Sequence, residues 1–200
     1  LSGAIAEIEA KSPVKICFVN LGGGFGLNYK VDQKPLDLSA VSKEIQTVFR
    51  DSGLRIYTEN GRFVTGPNGY LLTTVRYVMN KYKTYLGVDA SMHNLMRPGM
   101  YGAYHHITVL GSDGAHGNSV YDVVGSLCEN NDKFAIDREL PESNPGDVLV
   151  IHDAGAHGHA MGFNYNGLLK SPEVLLKSDG SFLLLIRAET VDDYFRTILW

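Results

Sequence analysis

Apolar and polar positions along this 200-residue chain follow two rhythms. In the first third, helical and strand patterns take turns. Ala4, Ile5 and Ile8 form a small helical stripe over Ser2–Lys11, and residues 14–19 are a short β-rich run that ends in glycines. Val41, Ile45 and Val48 then recur on one face of a helix predicted over 39–51, with Gly53 as its stop. Residues 54–58 read as a second strand of the buried type. That order predicts parallel βα units. Two parallel strands cannot close a barrel, so this α/β piece is expected to be incomplete by itself.

From about residue 70 the rhythm changes. Strands are predicted over 70–79, 84–88, 106–110, 120–124, 148–151, 174–177 and 182–186, with a last helix over 191–199. Turn signals such as Pro145-Gly146-Asp147 and Ser178-Asp179-Gly180 separate them. The fold class read from this is α/β plus all-β, divided near residue 70. There is no internal repeat and no low-complexity linker.

Composition narrows the function classes. Hydrophobic residues at 44% and charged residues at 20% suit a globular domain. A net charge of -4 leaves no basic surplus to neutralise phosphates, which argues against a nucleic-acid partner. The apolar runs are too short for a helical membrane span. No basic-then-apolar leader opens the chain, so the cytoplasm is the expected compartment, with Cys17 and Cys128 as free thiols. The chain begins inside a predicted helix without an initiating Met, as a piece of a longer protein does.

Five short segments carry candidate chemistry. Leu21-Gly22-Gly23-Gly24-Phe25-Gly26 follows the first strand, where backbone N–H groups freed of side chains can approach an anion. A plain turn reads the same way locally. Its glycines are not spaced as in a dinucleotide unit, and it lacks the lysine of a P-loop. Glu59-Asn60-Gly61-Arg62 follows the second strand and offers a carboxylate for a cationic nitrogen and a guanidinium for an anion; a solvated surface turn is the plainer alternative. In Arg97-Pro98-Gly99-Met100-Tyr101 a planar guanidinium fork and a phenol stand four positions apart, a pair suited to a carboxylate, although Arg97 can equally cap a turn. Cys128-Glu129-Asn130-Asn131-Asp132 sets a thiol beside a carboxylate after a strand. Asp153, His157 and His159 invite a zinc reading, yet the histidines are two apart and no third ligand is suitably spaced, so no metal is expected.

Taken in order, these segments resemble fold-type III pyridoxal-phosphate (PLP) dependent decarboxylases, nearest to the diaminopimelate decarboxylases. The resemblance runs from the Gly22–Gly26 loop through Ala154–Asn166 to Arg187-Ala188-Glu189-Thr190, which is essentially the whole chain. It implies the C-terminal part of a TIM-like (β/α)8 barrel over 1–70, followed by a β-sandwich or β-barrel domain over 71–200. It also implies site roles. Gly22, Gly23, Gly24 and Gly61, with Arg62 and His157, would hold the PLP phosphate, and Glu59 would pair with the pyridine nitrogen. Arg97 and Tyr101, with Arg62, would grip a substrate carboxylate. Cys128 would be the proton donor and Glu129 would bind the distal ammonium. The last two enter the neighbouring subunit's site in this family, so a homodimer with shared active sites is implied.

The sequence departs from the family pattern in three ways. His157 stands where tyrosine is commoner, Asn60 stands where proline is commoner, and the lysine that anchors PLP covalently is absent from this stretch. The expected reaction of the full-length protein is meso-2,6-diaminopimelate decarboxylation to L-lysine and CO2, with the isolated piece inactive. Alternatives are a decarboxylase of another basic or carrier-linked amino acid, or a non-catalytic regulatory relative. The last would be expected to lose Cys128 or the glycines, and both are present.

Overall fold

A computed structural model describes residues 2–30, 32–112 and 117–199 of the chain. The chain divides into two compact units, one ending at Val64 and the other beginning at Thr65.

The first unit holds α1 (Ser2–Lys11), β1 (Phe18–Asn20), α2 (Leu38–Phe49) and β2 (Arg55–Tyr57). Asp37 caps α2 by accepting from Ala40 N at 3.0 Å, satisfying one of the donors a helix start leaves open. β1 and β2 pair in parallel, Val19 opposite Ile56. The ladder extends past both strand ends: Leu21 N donates to Tyr57 O at 2.9 Å, and Glu59 N to Gly22 O at 2.8 Å. The glycine loop and the Glu59 segment are therefore stitched together by backbone. Ile45 and Phe49 of α2 line a shallow hollow with Ile56. None of α2 is buried, and both flanks of β2 are exposed, unlike the buried strand its sequence suggests. α3 (Gly61–Thr65) starts within the Glu59–Arg62 motif, which is a strand-to-helix corner and not an isolated turn.

The second unit is built on a six-stranded sheet of β3 (Leu71–Asn80), β4 (Thr84–Val88), β5 (Ile107–Val109), β6 (Ser119–Val124), β7 (Lys133–Leu140) and β8 (Val148–Ile151), ordered β5-β8-β3-β4-β6-β7. All neighbours are antiparallel except β4 and β6. Its inner face supplies a core that includes Val75, Leu86, Val123, Leu149 and Ile151. The outer strands approach one another where Arg138 of β7 donates from Nη1 to His105 O, just before β5, at 2.8 Å, so the sheet nearly closes. Closure leaves little unpaired edge on that side.

β7 has no counterpart among the sequence-predicted strands. Its burial does not alternate, its register with β6 shifts, and Asp137 has φ 48. That irregularity breaks the period-two signal that sequence reading relies on. A hairpin of β9 (Glu173–Leu176) and β10 (Phe182–Ile186) follows, then α5 (Val191–Phe195), which is shorter than the predicted helix. α5 opens on a capping box in which Thr190 and Asp193 satisfy each other's backbone donors. Every residue of β9 and β10 is exposed despite the apolar run, Phe182 at 72%. Among the described residues, no helix is long and apolar enough to cross a membrane.

Candidate active-site residues and family membership

In the first unit the glycine loop leaves β1 and folds against the end of β2. Gly22 and Gly24 have φ 71 and 94, the left-handed region where a side chain is strained. At Gly23 the constraint is proximity: an added Cβ would run into the carbonyl oxygen of Glu59. Asn20 links the two motifs. Its Oδ1 accepts from Gly22 N at 2.8 Å, and its Nδ2 donates to Glu59 Oε1 at 2.6 Å. One amide thus shapes the loop and orients the carboxylate, though sequence reading did not single it out. Phe25 and Phe63 meet edge-on with centroids 6.2 Å apart, bringing α3 onto the same loop. Arg62 Nε and Asn60 Oδ1 are buried with no hydrogen-bond partner among the described residues. An added Cβ at Gly61 meets nothing within 4 Å, so no crowding explains that glycine.

In the second unit Arg97 opens α4 (Arg97–Tyr101), with Pro98 in its first turn and Gly102 closing it at φ 60. The Arg97 motif is therefore a helix. Tyr101 is exposed, whereas Arg97 is only 6% exposed and donates from Nη1 to His105 Nε2 at 2.9 Å. Cys128 and Glu129 are exposed in the connection between β6 and β7, and both cysteines are free. Asp132 is buried and holds that connection: it accepts from Met92 N at 2.6 Å and from Leu127 N at 2.7 Å. Glu129 Oε1 accepts from Asn131 N at 3.2 Å. An added Cβ at Gly99 would strike Asn131 O, so the Arg97–Tyr101 helix lies directly on the Cys128 connection. His157 is exposed, at φ 60, in the loop after β8. That loop is pinned to the start of the unit: Gly155 N donates to Gly66 O at 3.1 Å and Ala154 N to Gly69 O at 2.8 Å.

Comparison with known proteins gives these arrangements a context. Residues 36–155 match the C-terminal sheet domain of the pyridoxal-dependent decarboxylases, and residues 2–66 match the pyridoxal binding domain of the same enzymes. The chain belongs to this family. It is 44% identical over 199 residues to Protein TabA of Pseudomonas amygdali pv. tabaci, covering 98% of this chain and 47% of that protein. It is 38% identical to the diaminopimelate decarboxylase of Methanothermobacter thermautotrophicus, covering 95% of this chain and 46% of the relative. The crystal structure of Helicobacter pylori diaminopimelate decarboxylase complexed with L-lysine superposes with a TM-score of 0.85 at 31% identity, covering 98% of this chain and 48% of that one. The chain thus spans about half the length of the relatives it matches.

Pyridoxal phosphate fits what the first unit offers. The loop has no side chain at Gly22, Gly23 or Gly24 to bar a phosphate from its backbone amides, the buried Arg62 Nε is an unused donor, and Glu59 is a fixed anion. Gly23→Ala tests the loop. Neither the loop backbone nor the Glu59 carbonyl is a flexible chain end, so overpacking of about 1–3 kcal/mol is expected. In the full-length protein that corresponds to about 5- to 150-fold weaker PLP affinity, measured by absorbance titration. Unaltered affinity would remove the glycine loop from the phosphate site.

Proposed function

We propose that the full-length protein decarboxylates meso-2,6-diaminopimelate at its D-centre, giving L-lysine and CO2 in lysine biosynthesis. The observation that carries this reading is the 38% identity to a diaminopimelate decarboxylase across 95% of this chain. In the same reading the first unit forms late strands of a (β/α)8 barrel, and the protein works in the cytoplasm as a homodimer with shared active sites.

PLP, when bound, supplies an electron sink for the pair left at Cα as CO2 departs. The chain's own residues do the rest. The amides of Gly22–Gly24, with Gly61, Arg62 and His157, would hold the phosphate, and Glu59, oriented by Asn20, would pair with the ring nitrogen. Arg97 and Tyr101, with Arg62, hold the carboxylate that stays on the product. Glu129 of the adjoining subunit takes the distal ammonium. Cys128 of the adjoining subunit gives its thiol proton to Cα, forming the C–H bond, and the thiolate recovers a proton from solvent.

A second reading keeps this chemistry on another amino acid. The 44% identity to Protein TabA, whose name carries no substrate, exceeds the 38% to the diaminopimelate enzyme, so identity alone does not fix the amino acid. The test is CO2 release by the full-length protein with PLP from meso-diaminopimelate, lysine, ornithine and arginine. Release from diaminopimelate alone is expected. Release from another of the four supports the second reading, and none from any would leave a non-catalytic PLP-fold protein.

A further inference from the structure

Arg97 is anchored by a residue outside all five motifs. His105 is fully buried and lies between two partners: Arg97 Nη1 at 2.9 Å from its Nε2, and the backbone carbonyl of His152 at 2.8 Å from its Nδ1. The proton arrangement follows from the partners. A carbonyl oxygen only accepts, so Nδ1 carries the hydrogen; a guanidinium only donates, so Nε2 is bare. His105 is therefore a neutral imidazole with a defined tautomer. A second proton would land on Nε2 against the Arg97 cation.

The surroundings hold this ring from several sides. Arg138 donates to the His105 carbonyl at 2.8 Å, and its guanidinium lies 4.2 Å above the Tyr104 ring. His152 is tied down through its ring, with Nε2 2.9 Å from Thr108 Oγ1, and through its amide, which donates to His106 O at 2.8 Å. Those bonds flank the β5–β8 ladder, so the position of His105 Nε2 is set by the sheet. A long arginine side chain has many rotamers, and a fixed acceptor at its tip selects one.

We propose that His105 is a positioning residue for Arg97, holding its guanidinium where the carboxylate of an amino-acid substrate docks and loosening that hold when protonated. This rests on the reading of Arg97 as the carboxylate ligand. Among the described residues, the charged groups that act on His105 are Arg97, Arg138 and Asp153. Burial, foremost, depresses its pKa below the ordinary 6.5; the bond to the His152 carbonyl opposes that, and Arg97 reinforces it. The sign follows. With a depressed folded-state value, the neutral form and its contribution are complete above 6.5 and are lost as pH falls through the lower folded-state value.

Binding to the full-length, PLP-loaded protein separates positioning from general damage, using L-lysine, which has a carboxylate, and cadaverine, which lacks one. His105→Asn keeps a donor near the Nδ1 position but loses the acceptor facing Arg97. His105→Gln can place its Oε1 near the Nε2 position and does not titrate. Calorimetry at pH 8 is expected to show His105→Asn weakening L-lysine about tenfold or more, with cadaverine within about twofold. His105→Gln is expected to stay within about threefold of the parent for L-lysine and to lose the parent's weakening below pH 6.5. Equal loss of both ligands in the two variants would mean a structural role only and would overturn the proposal. So would unchanged L-lysine affinity in His105→Asn while Arg97→Ala weakens it, which would leave the Arg97 reading standing. If Arg97→Ala has no effect on L-lysine either, the Arg97 reading fails and the proposal falls with it.

Discussion

Cys128→Ala in the full-length protein is expected to lower turnover by about two to four powers of ten, the weight of a well-placed proton donor. The substitution should cost little else. Cys128 is an exposed thiol in a surface connection, and such positions usually change stability by no more than about 0.5 kcal/mol. The connection's shape depends on Asp132, whose carboxylate accepts from Met92 N and Leu127 N, and the variant leaves that intact. PLP content and apparent substrate affinity should therefore stay near those of the parent while the chemical step slows. The checks are absorbance of bound PLP, the thermal midpoint, and kcat with KM from CO2 release. Loss of PLP with turnover per bound cofactor preserved would make Cys128 a structural or cofactor-holding residue and sink its assignment as donor.

The parts of the fold legible in the sequence are those set by local periodicity. The β4, β8 and β10 segments stand where alternation or an apolar run with flanking turns puts them, and β3 is displaced by only one residue at either end. What escaped was non-local. β7 carries Asp137, Arg138 and Glu139 in a bulged stretch whose partners are Asp122, Lys83 and the His105 backbone, so no window of a few residues marks it as sheet. Exposure along β9 and β10 was equally invisible, because an apolar run states a preference for burial and not whether the surface to receive it is present.

The candidate site shows the same division. Each motif announced itself by residue type, and the structure sets each in a short helix or in a loop that follows a strand. The residues that organise them do not announce themselves. Asn20 reaches Glu59 across 39 positions and His105 reaches the His152 carbonyl across 47, so an ordinary Asn and an ordinary His acquire meaning only when the strands pair. A histidine pair directly before an apolar strand, eight residues after Arg97, is the faint trace His105 leaves in the sequence. Burial of Arg97 was likewise not legible in a residue that can equally cap a turn. A buried guanidinium needs a designated acceptor, and that need is what points from the motif to its support.

Arg97→Ala is the second change with a large expected effect. Removing one member of a buried, hydrogen-bonded charge pair costs about 2–5 kcal/mol, so kcat/KM should fall by about 30-fold to several thousand-fold. Most of the loss should appear in KM, because a carboxylate held alike in substrate and transition state contributes uniform binding. His105 also loses the cation facing its Nε2, which removes one cause holding its pKa down. Arg97→Lys keeps the charge as a point but loses the planar fork and should fall between parent and alanine. The loss must follow the carboxylate: L-lysine should bind more weakly to Arg97→Ala, while cadaverine should bind as it does to the parent. A KM unchanged by Arg97→Ala, with PLP still bound and the protein folded, would show that the substrate carboxylate is held elsewhere. The exposed Tyr101, one turn along the same helix, would then be the next residue to replace.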